Sequence, residues 1–115
     1  LKGKGIETLQ NILTITTKKH ILSGKANGIE WRHKFNLDEL DKDDKTYTFS
    51  FPKNLTPSIS FLHGLFDASL VKLDDDFIEK YHFYGTNIKK SINNYCEITF
   101  TAIDKFANEG KTYKY

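Results

Sequence analysis

The stretch TYTFSFPKNLTPSISFLHGLFDASLVKL, residues 46–73, decides the fold. From Thr46 to Phe51 the chain alternates, with Tyr47, Phe49 and Phe51 on one face and Thr46, Thr48 and Ser50 on the other. That is the period of a half-buried strand. Pro52 ends it by removing a ladder donor, and Asn54 and Pro57 mark a loop. Leu62, Leu65, Phe66, Ser69, Leu70 and Leu73 then recur at helical spacing, with Ser60 placed as the N-cap of a helix ending at Leu73. A strand feeding an amphipathic helix through a short loop is the repeating half of an α/β fold.

Downstream, Asp74 is expected to cap a second short helix carrying Phe77, Ile78 and Tyr81. A brief strand near His82 to Tyr84 stops at Gly85. A last helix from about Asn87 to Asn108 puts Ile88, Ile92, Tyr95, Thr99, Ile103 and Phe106 on one side. The order is β-α-α-β-α. Upstream, the polar and acidic run Asn36 to Lys45 reads as a linker or short solvated helix, and charge changes across it. Residues 1–35 hold seven Lys/Arg against two acids, residues 36–76 four against nine, and residues 77–115 six against four. The expected division is therefore one unit over 1–35 and another over 36–115. In the first, Ile6, Leu9, Ile12 and Leu13 suggest a helix, although the β-branched run Ile12 to Thr17 competes for strand. Ile29, Trp31, His33 and Phe35 alternate with Glu30, Arg32 and Lys34, which predicts a strand paired through the Gly24–Gly28 turn with the segment Lys19 to Ser23. The fold class expected is α/β, an N-terminal helix plus β-hairpin leading into the β-α-α-β-α unit.

The 115 residues suffice for a single-core domain and exclude a multi-domain enzyme within this chain. No apolar run approaches a membrane span and no signal peptide is read. Formal charge is +2, and all basic residues but Arg32 are Lys, so the forks that suit bidentate phosphate and base-edge contacts are nearly absent. Nucleic acid and membrane are not expected partners. A lone Cys96 forms no intrachain disulfide and suits a reducing, cytoplasmic setting. The chain begins at Leu1 and contains no Met, which leads us to expect a cut inside a longer protein.

Chemistry-bearing patterns are sparse, and no catalytic or metal residue is assigned. His20, His33, His63 and His82 lack metal-ligand spacing. Ser60 and His63 stand one helical turn apart, but the sequence indicates no acid to orient the imidazole. Asp74-Asp75-Asp76 reads as helix capping, and Asn54-Leu55-Thr56, though a glycosylation sequon, as a turn. The loop Pro57-Ser58-Ile59-Ser60-Phe61 carries more, because a hydroxyl between a buried strand and a helix N-terminus is well placed for phosphorylation.

Three runs together resemble the STAS-like domain family: Thr46 to Phe51, Pro57 to Phe66, and Asp76-Phe77-Ile78-Glu79-Lys80-Tyr81-His82-Phe83. The family is related to sulfate-transporter and anti-sigma-factor-antagonist domains. The likeness covers about residues 37–108. It implies a regulatory, partner-binding module whose loop hydroxyl is phosphorylated by a partner kinase, with Ser58, Ser60 and Phe61 as the phosphorylation and partner-binding candidates. The Asp and Gly of the better-known Asp-Ser-Ser/Thr-Gly motif are not matched. Further upstream, Gly3-Lys4-Gly5-Ile6, followed by a helix and a hairpin, is similar to the C-terminal end of a histidine-kinase-like (GHKL) ATPase domain over about residues 2–35. That similarity implies a remnant nucleotide loop at Gly3, Lys4 and Gly5. Its Asn-bearing Mg²⁺ box and adenine box have no counterpart here, so no cofactor is expected in this chain and ATP with Mg²⁺ only in a longer parent. The leading expectation is a non-enzymatic regulatory module whose partner is another protein or the upstream ATPase-like domain. The alternatives are a fragment of a nucleotide-dependent ATPase or kinase, and a stand-alone inhibitor acting through its acidic middle segment.

Overall fold

A computed structural model of the chain describes residues 11–18 and 21–108. The protein is mixed α/β. Strand β1 (Ile12–Thr14) is followed by helices α1 (Lys25–Phe35) and α2 (Leu37–Leu40), strand β2 (Tyr47–Ser50), helices α3 (Ile59–Leu73) and α4 (Asp76–Lys80), strand β3 (Tyr81–Tyr84) and helix α5 (Ile88–Asn108). The three strands are parallel in the order β1-β2-β3, with Ile12 opposite Thr48 and Thr48 opposite His82. Phe35 of α1 and Phe66 of α3 both pack on Phe49, so both connecting helices lie on one face of the sheet.

That arrangement explains the alternation in β2. Tyr47 and Phe49 are buried and Thr48 and Ser50 only half-buried. Phe49 is the centre of the core, its ring 5.8 Å from Phe35, 4.9 Å from Phe66 and 6.0 Å from Phe83. Helices α1 and α3 and strand β3 therefore share one aromatic layer, which α5 joins through Tyr95, its ring 6.4 Å from Phe66. Ile12, Thr14, His82 and Tyr84 are exposed on the opposite face, which no described element covers. Parallel sheets usually bury both faces, and the Thr and Ser residues here suit a wet one.

From Tyr47 to Asn108 the elements follow the sequence reading closely, with three changes at helix ends, the first being that Tyr81, expected on the second short helix, opens β3 instead. Ser58, not Ser60, is the N-cap of α3, its hydroxyl accepting the Phe61 N–H at 3.1 Å. Asp74 closes α3 at its C-terminus, with φ 52°, instead of capping α4. Residues 12–14 form a strand where helical spacing had suggested a helix, the β-branched side chains having decided the matter.

The larger correction is α1. Residues 29–35, expected as the second strand of a hairpin, are helical, and the hairpin does not exist. The helix buries a stripe of Gly28 and Arg32 with Trp31 and Phe35 half-buried beside them, at spacing i, i+3, i+4, i+7. Two of those four residues are a glycine and an arginine, so the apolar stripe does not show in the sequence. Gly28 is there because α1 and α3 touch backbone to backbone. A Cβ on Gly28 would lie 2.2 Å from the Phe61 carbonyl, and one on Gly64 would lie 2.0 Å from the Lys25 carbonyl. Asn36 then stops α1 in the left-handed conformation (φ 57°) that Asn tolerates.

Residues on both sides of 36–45 thus contribute to one sheet and one core. The segment itself is pinned down, with Leu37 and Asp41 both buried.

Candidate functional site at the carboxyl edge of the sheet

Parallel strands all end at the same edge, and the loops leaving them meet there. The loop after β2 is stitched to both neighbours. Ser58 N–H donates to the Leu22 carbonyl at 2.9 Å, and Gly24 N–H donates to Ser60 Oγ at 3.2 Å. On the other side, Asn54 N–H donates to Thr86 Oγ1 at 2.9 Å. The two candidate hydroxyls lie 3.0 Å apart. Ser58 is half-buried and committed to its cap, whereas Ser60 is exposed. Ser60 Oγ sits at the start of α3 and, through Gly24, at the start of α1 as well. Two helix N-termini therefore approach this one oxygen, and both favour negative charge. Phe61 is fully buried and packs in the core, so no partner reaches it in the folded chain. Gly3, Lys4 and Gly5 lie outside the described residues. Beside Ser60 a groove of about 570 Å³ is lined in part by Thr17, Ser23, Asn27 and Glu30. A second, of about 350 Å³, lies between Phe51, Lys53 and Tyr84.

The one arginine is spent inside the molecule. Arg32 Nη1 donates to the Leu65 carbonyl (2.9 Å) and Ser69 Oγ (2.7 Å), and Nη2 to Asp38 (2.7 Å) and Asp41 (2.9 Å). Asp41 also accepts from Ser69 and from the Tyr81 hydroxyl, so a buried charge is matched by a full set of donors. Burial, then the bond to Asp41, hold the Tyr81 phenol far above its ordinary range. The hydrogen bond and charge of Arg32 lower the Asp38 carboxyl. Lys80 is likewise buried and donates to the carbonyls of Asp43 and Lys45, both at 2.8 Å, and to Asp43 Oδ1 at 2.7 Å. Burial works to raise Asp43, but the bonds from Lys80, Tyr47 and the Lys45 N–H outweigh it and carry the carboxyl down to about 2. With Glu39 paired to Lys42, the acids Asp38, Glu39, Asp41 and Asp43 all have partners within the chain. Asp41 and Asp43 thus act as a structural clasp, while Asp38 and Glu39 stay exposed.

One arrangement was not foreseen. His63 does have an orienting acid, Asp67, one turn further along α3. His63 Nδ1 lies 2.9 and 3.1 Å from the two Asp67 oxygens, and the Tyr95 hydroxyl of α5 donates to the same carboxylate at 2.7 Å. The i,i+4 spacing was available in the sequence, but Asp67 lies next to Phe66 in a helix buried almost all round and carries no signature of its own. Ser60 hydrogen-bonds to Gly24 and Ser58, with no bond to His63 among those described. His33 and His82 are exposed, and His20 lies outside the described residues. Among the described residues no group of three or more His, Cys, Asp or Glu is placed to hold a metal ion. Cys96 is buried, which pushes its thiol up to about 11 and keeps it unreactive at neutral pH. No described helix is long and apolar enough to cross a membrane. No protein-family model, curated protein or solved structure matches the chain, so its site is defined by geometry alone.

Proposed function

We propose that the chain is a non-enzymatic regulatory module of STAS-like type, binding another protein at the carboxyl edge of its sheet and switched by phosphorylation of Ser60. The observation that carries this reading is the position of Ser60 Oγ, exposed yet bonded to the Gly24 N–H at the head of α1. A phosphoryl group there brings about −1.5 to −2 charge to a point that two helix dipoles favour. It also replaces the hydroxyl that joins the loop after β1 to the loop after β2. The partner-facing edge is then altered in charge and in shape by one modification. The run from β2 to α5, a strand, a Ser-bearing loop, two helices, a strand and a terminal helix, supports the STAS-like reading. Ser58 is the poorer phosphorylation target, because its hydroxyl is half-buried and already engaged by the Phe61 N–H, whereas Ser60 is exposed.

The test is phosphosite mapping of the complete gene product recovered from its own cells, alongside Ser58→Ala and Ser60→Ala. Phosphate that persists in Ser58→Ala and vanishes in Ser60→Ala is the expected result. A product never modified at either serine, or one in which phosphoserine installed at position 60 leaves the Gly24 amide resonance unmoved, refutes the switch.

A further inference from the structure

We infer that the chain associates head to tail with a second copy of itself, the carboxyl edge of one sheet seating on the amino edge of the next. This goes beyond the partner reading above, since it uses the same carboxyl edge but asks nothing of Ser60.

The two edges carry opposite charge. Because the strands are parallel, α1, α3 and α5 all begin at the carboxyl edge. The segments that meet there, residues 15–25, 51–60 and 84–90, contain no Asp or Glu. Their described charged residues are Lys18, Lys25, Lys53, Lys89 and Lys90, all exposed. Of the residues lining the two grooves described at this edge, only Glu30 is acidic, against Lys18 and Lys53. The amino edge is built from the ends of α1 and α3 and the turns that follow them, residues 32–46 and 71–80, which hold nine acids against six Lys and Arg. Four of those acids are engaged by Arg32, Lys42 and Lys80. The rest, Asp44, Asp74, Asp75, Asp76 and Glu79, are exposed and outnumber the exposed Lys34, Lys45 and Lys72.

Helix stability does not account for the lysines. A helix N-terminus favours acids and disfavours cations, yet α1, α3 and α5 carry no acid in their first turns. Lys25 opens α1, and Lys89 and Lys90 lie in the first turn of α5. Formal charge and three helix dipoles therefore add at one edge, into a field that an anionic surface relieves. The chain's own amino edge is such a surface, which is the ground for a second copy as the occupant. Each edge also exposes apolar side chains among its charges, Ile21 (61%) and Tyr84 (73%) at one, Val71 (44%) and Ile78 (45%) at the other. Apolar residues rimmed by polar ones suit a protein contact, and with Arg32 buried the lysine edge lacks the forks that suit nucleic acid. The contact joins two different surfaces, so it repeats and builds a chain of copies.

Sedimentation equilibrium on the full chain tests this, up to about 1 mM protein to reach weak contacts. The runs are made at about 0.05 M and about 1 M salt, the higher of which screens charges beyond about 3 Å. The expected mass climbs past two chains at low salt and falls to one at high salt. Lys25→Gln with Lys53→Gln damages only the carboxyl edge, and Asp75→Asn with Glu79→Gln only the amino edge. All four residues are exposed, so both variants keep the fold. Each variant alone should associate at least tenfold more weakly than the parent. Their equimolar mixture retains one intact pairing, the lysine edge of the second on the acidic edge of the first, and should stop at two chains with the parent's affinity. A parent that stays single at low salt, a parent mass that saturates at two chains, or a mixture no more associated than either variant alone overturns the proposal. None of these results bears on Ser60, which phosphosite mapping decides separately.

Discussion

Replacing Gly64 by alanine should destabilise the protein, although alanine is the better helix former. In an exposed helix the change would gain about 1 kcal/mol. Here the new methyl would sit 2.0 Å from the Lys25 carbonyl and 2.9 Å from its carbon. Reaching ordinary van der Waals contact, near 3.4 Å, requires α1 to retreat by about 1.4 Å. The obstacle is backbone, so no rotamer change relieves it. Overpacking costs about 1–3 kcal/mol where side chains can adjust, and a rigid helix pair belongs at the top of that range or beyond it. The net loss is then about 2 kcal/mol, or roughly 10 °C in Tm for a domain of this size. Gly28→Ala opposes the same separation from the other side, with its methyl 2.2 Å from the Phe61 carbonyl. Once the helices have parted for one methyl, the second enters at reduced cost, so the double variant should lose less than the two singles together by about 1 kcal/mol. Urea unfolding followed by the fluorescence of Trp31, which lies on α1, measures all three. A stabilised Gly64→Ala, or strictly additive losses, would refute the close crossing of α1 and α3.

Asp41→Asn should cost about 1–3 kcal/mol, because it removes the buried charged acceptor shared by Arg32, Ser69 and Tyr81 while Arg32 keeps its ion pair with Asp38; an unchanged stability in chemical denaturation would contradict the network. The acid limb of stability should contain Asp43. Its carboxyl lies near 2 in the folded protein against an ordinary 3.8, so its contribution is complete above about pH 4 and is lost as pH falls toward 2. Allowing for solvent screening, that contribution is on the order of 1–2 kcal/mol, and an Asp43→Asn variant whose stability falls as steeply between pH 4 and 2 as the parent's would contradict it.

The division between what was readable in the chain and what was not follows from where each signal resides. Strand β2, helix α3, strand β3 and helix α5 are marked by local means: alternation around Phe49, the leucine stripe from Leu62 to Leu73, the stop at Gly85, and the isoleucine spacing after Asn87. Such signals survive because each element buries side chains that are themselves apolar. The position of Ser58 and Ser60 at a strand-to-helix loop was legible for the same reason, although which of them caps the helix was not, since either hydroxyl has the chemistry.

Helix α1 shows the opposite case. Its buried face is Gly28, Trp31, Arg32 and Phe35, and by composition that reads as turn, aromatic, charge, aromatic. Gly28 is interior only because Gly64 lies against it, and Arg32 only because Asp41, Ser69 and the Leu65 carbonyl supply its hydrogen bonds. The same holds for His63, which the chain presents as an ordinary helical histidine until Asp67 turns inward and Tyr95 arrives from α5. Sequence by itself determined an α/β chain with a hydroxyl-bearing loop ahead of its central helix. Tertiary structure decided that residues 25–35 are helical and that the single arginine is structural, and it brought together the histidine, acid and tyrosine. In each case the burial of a polar or side-chain-free position became favourable only once a distant partner was in place.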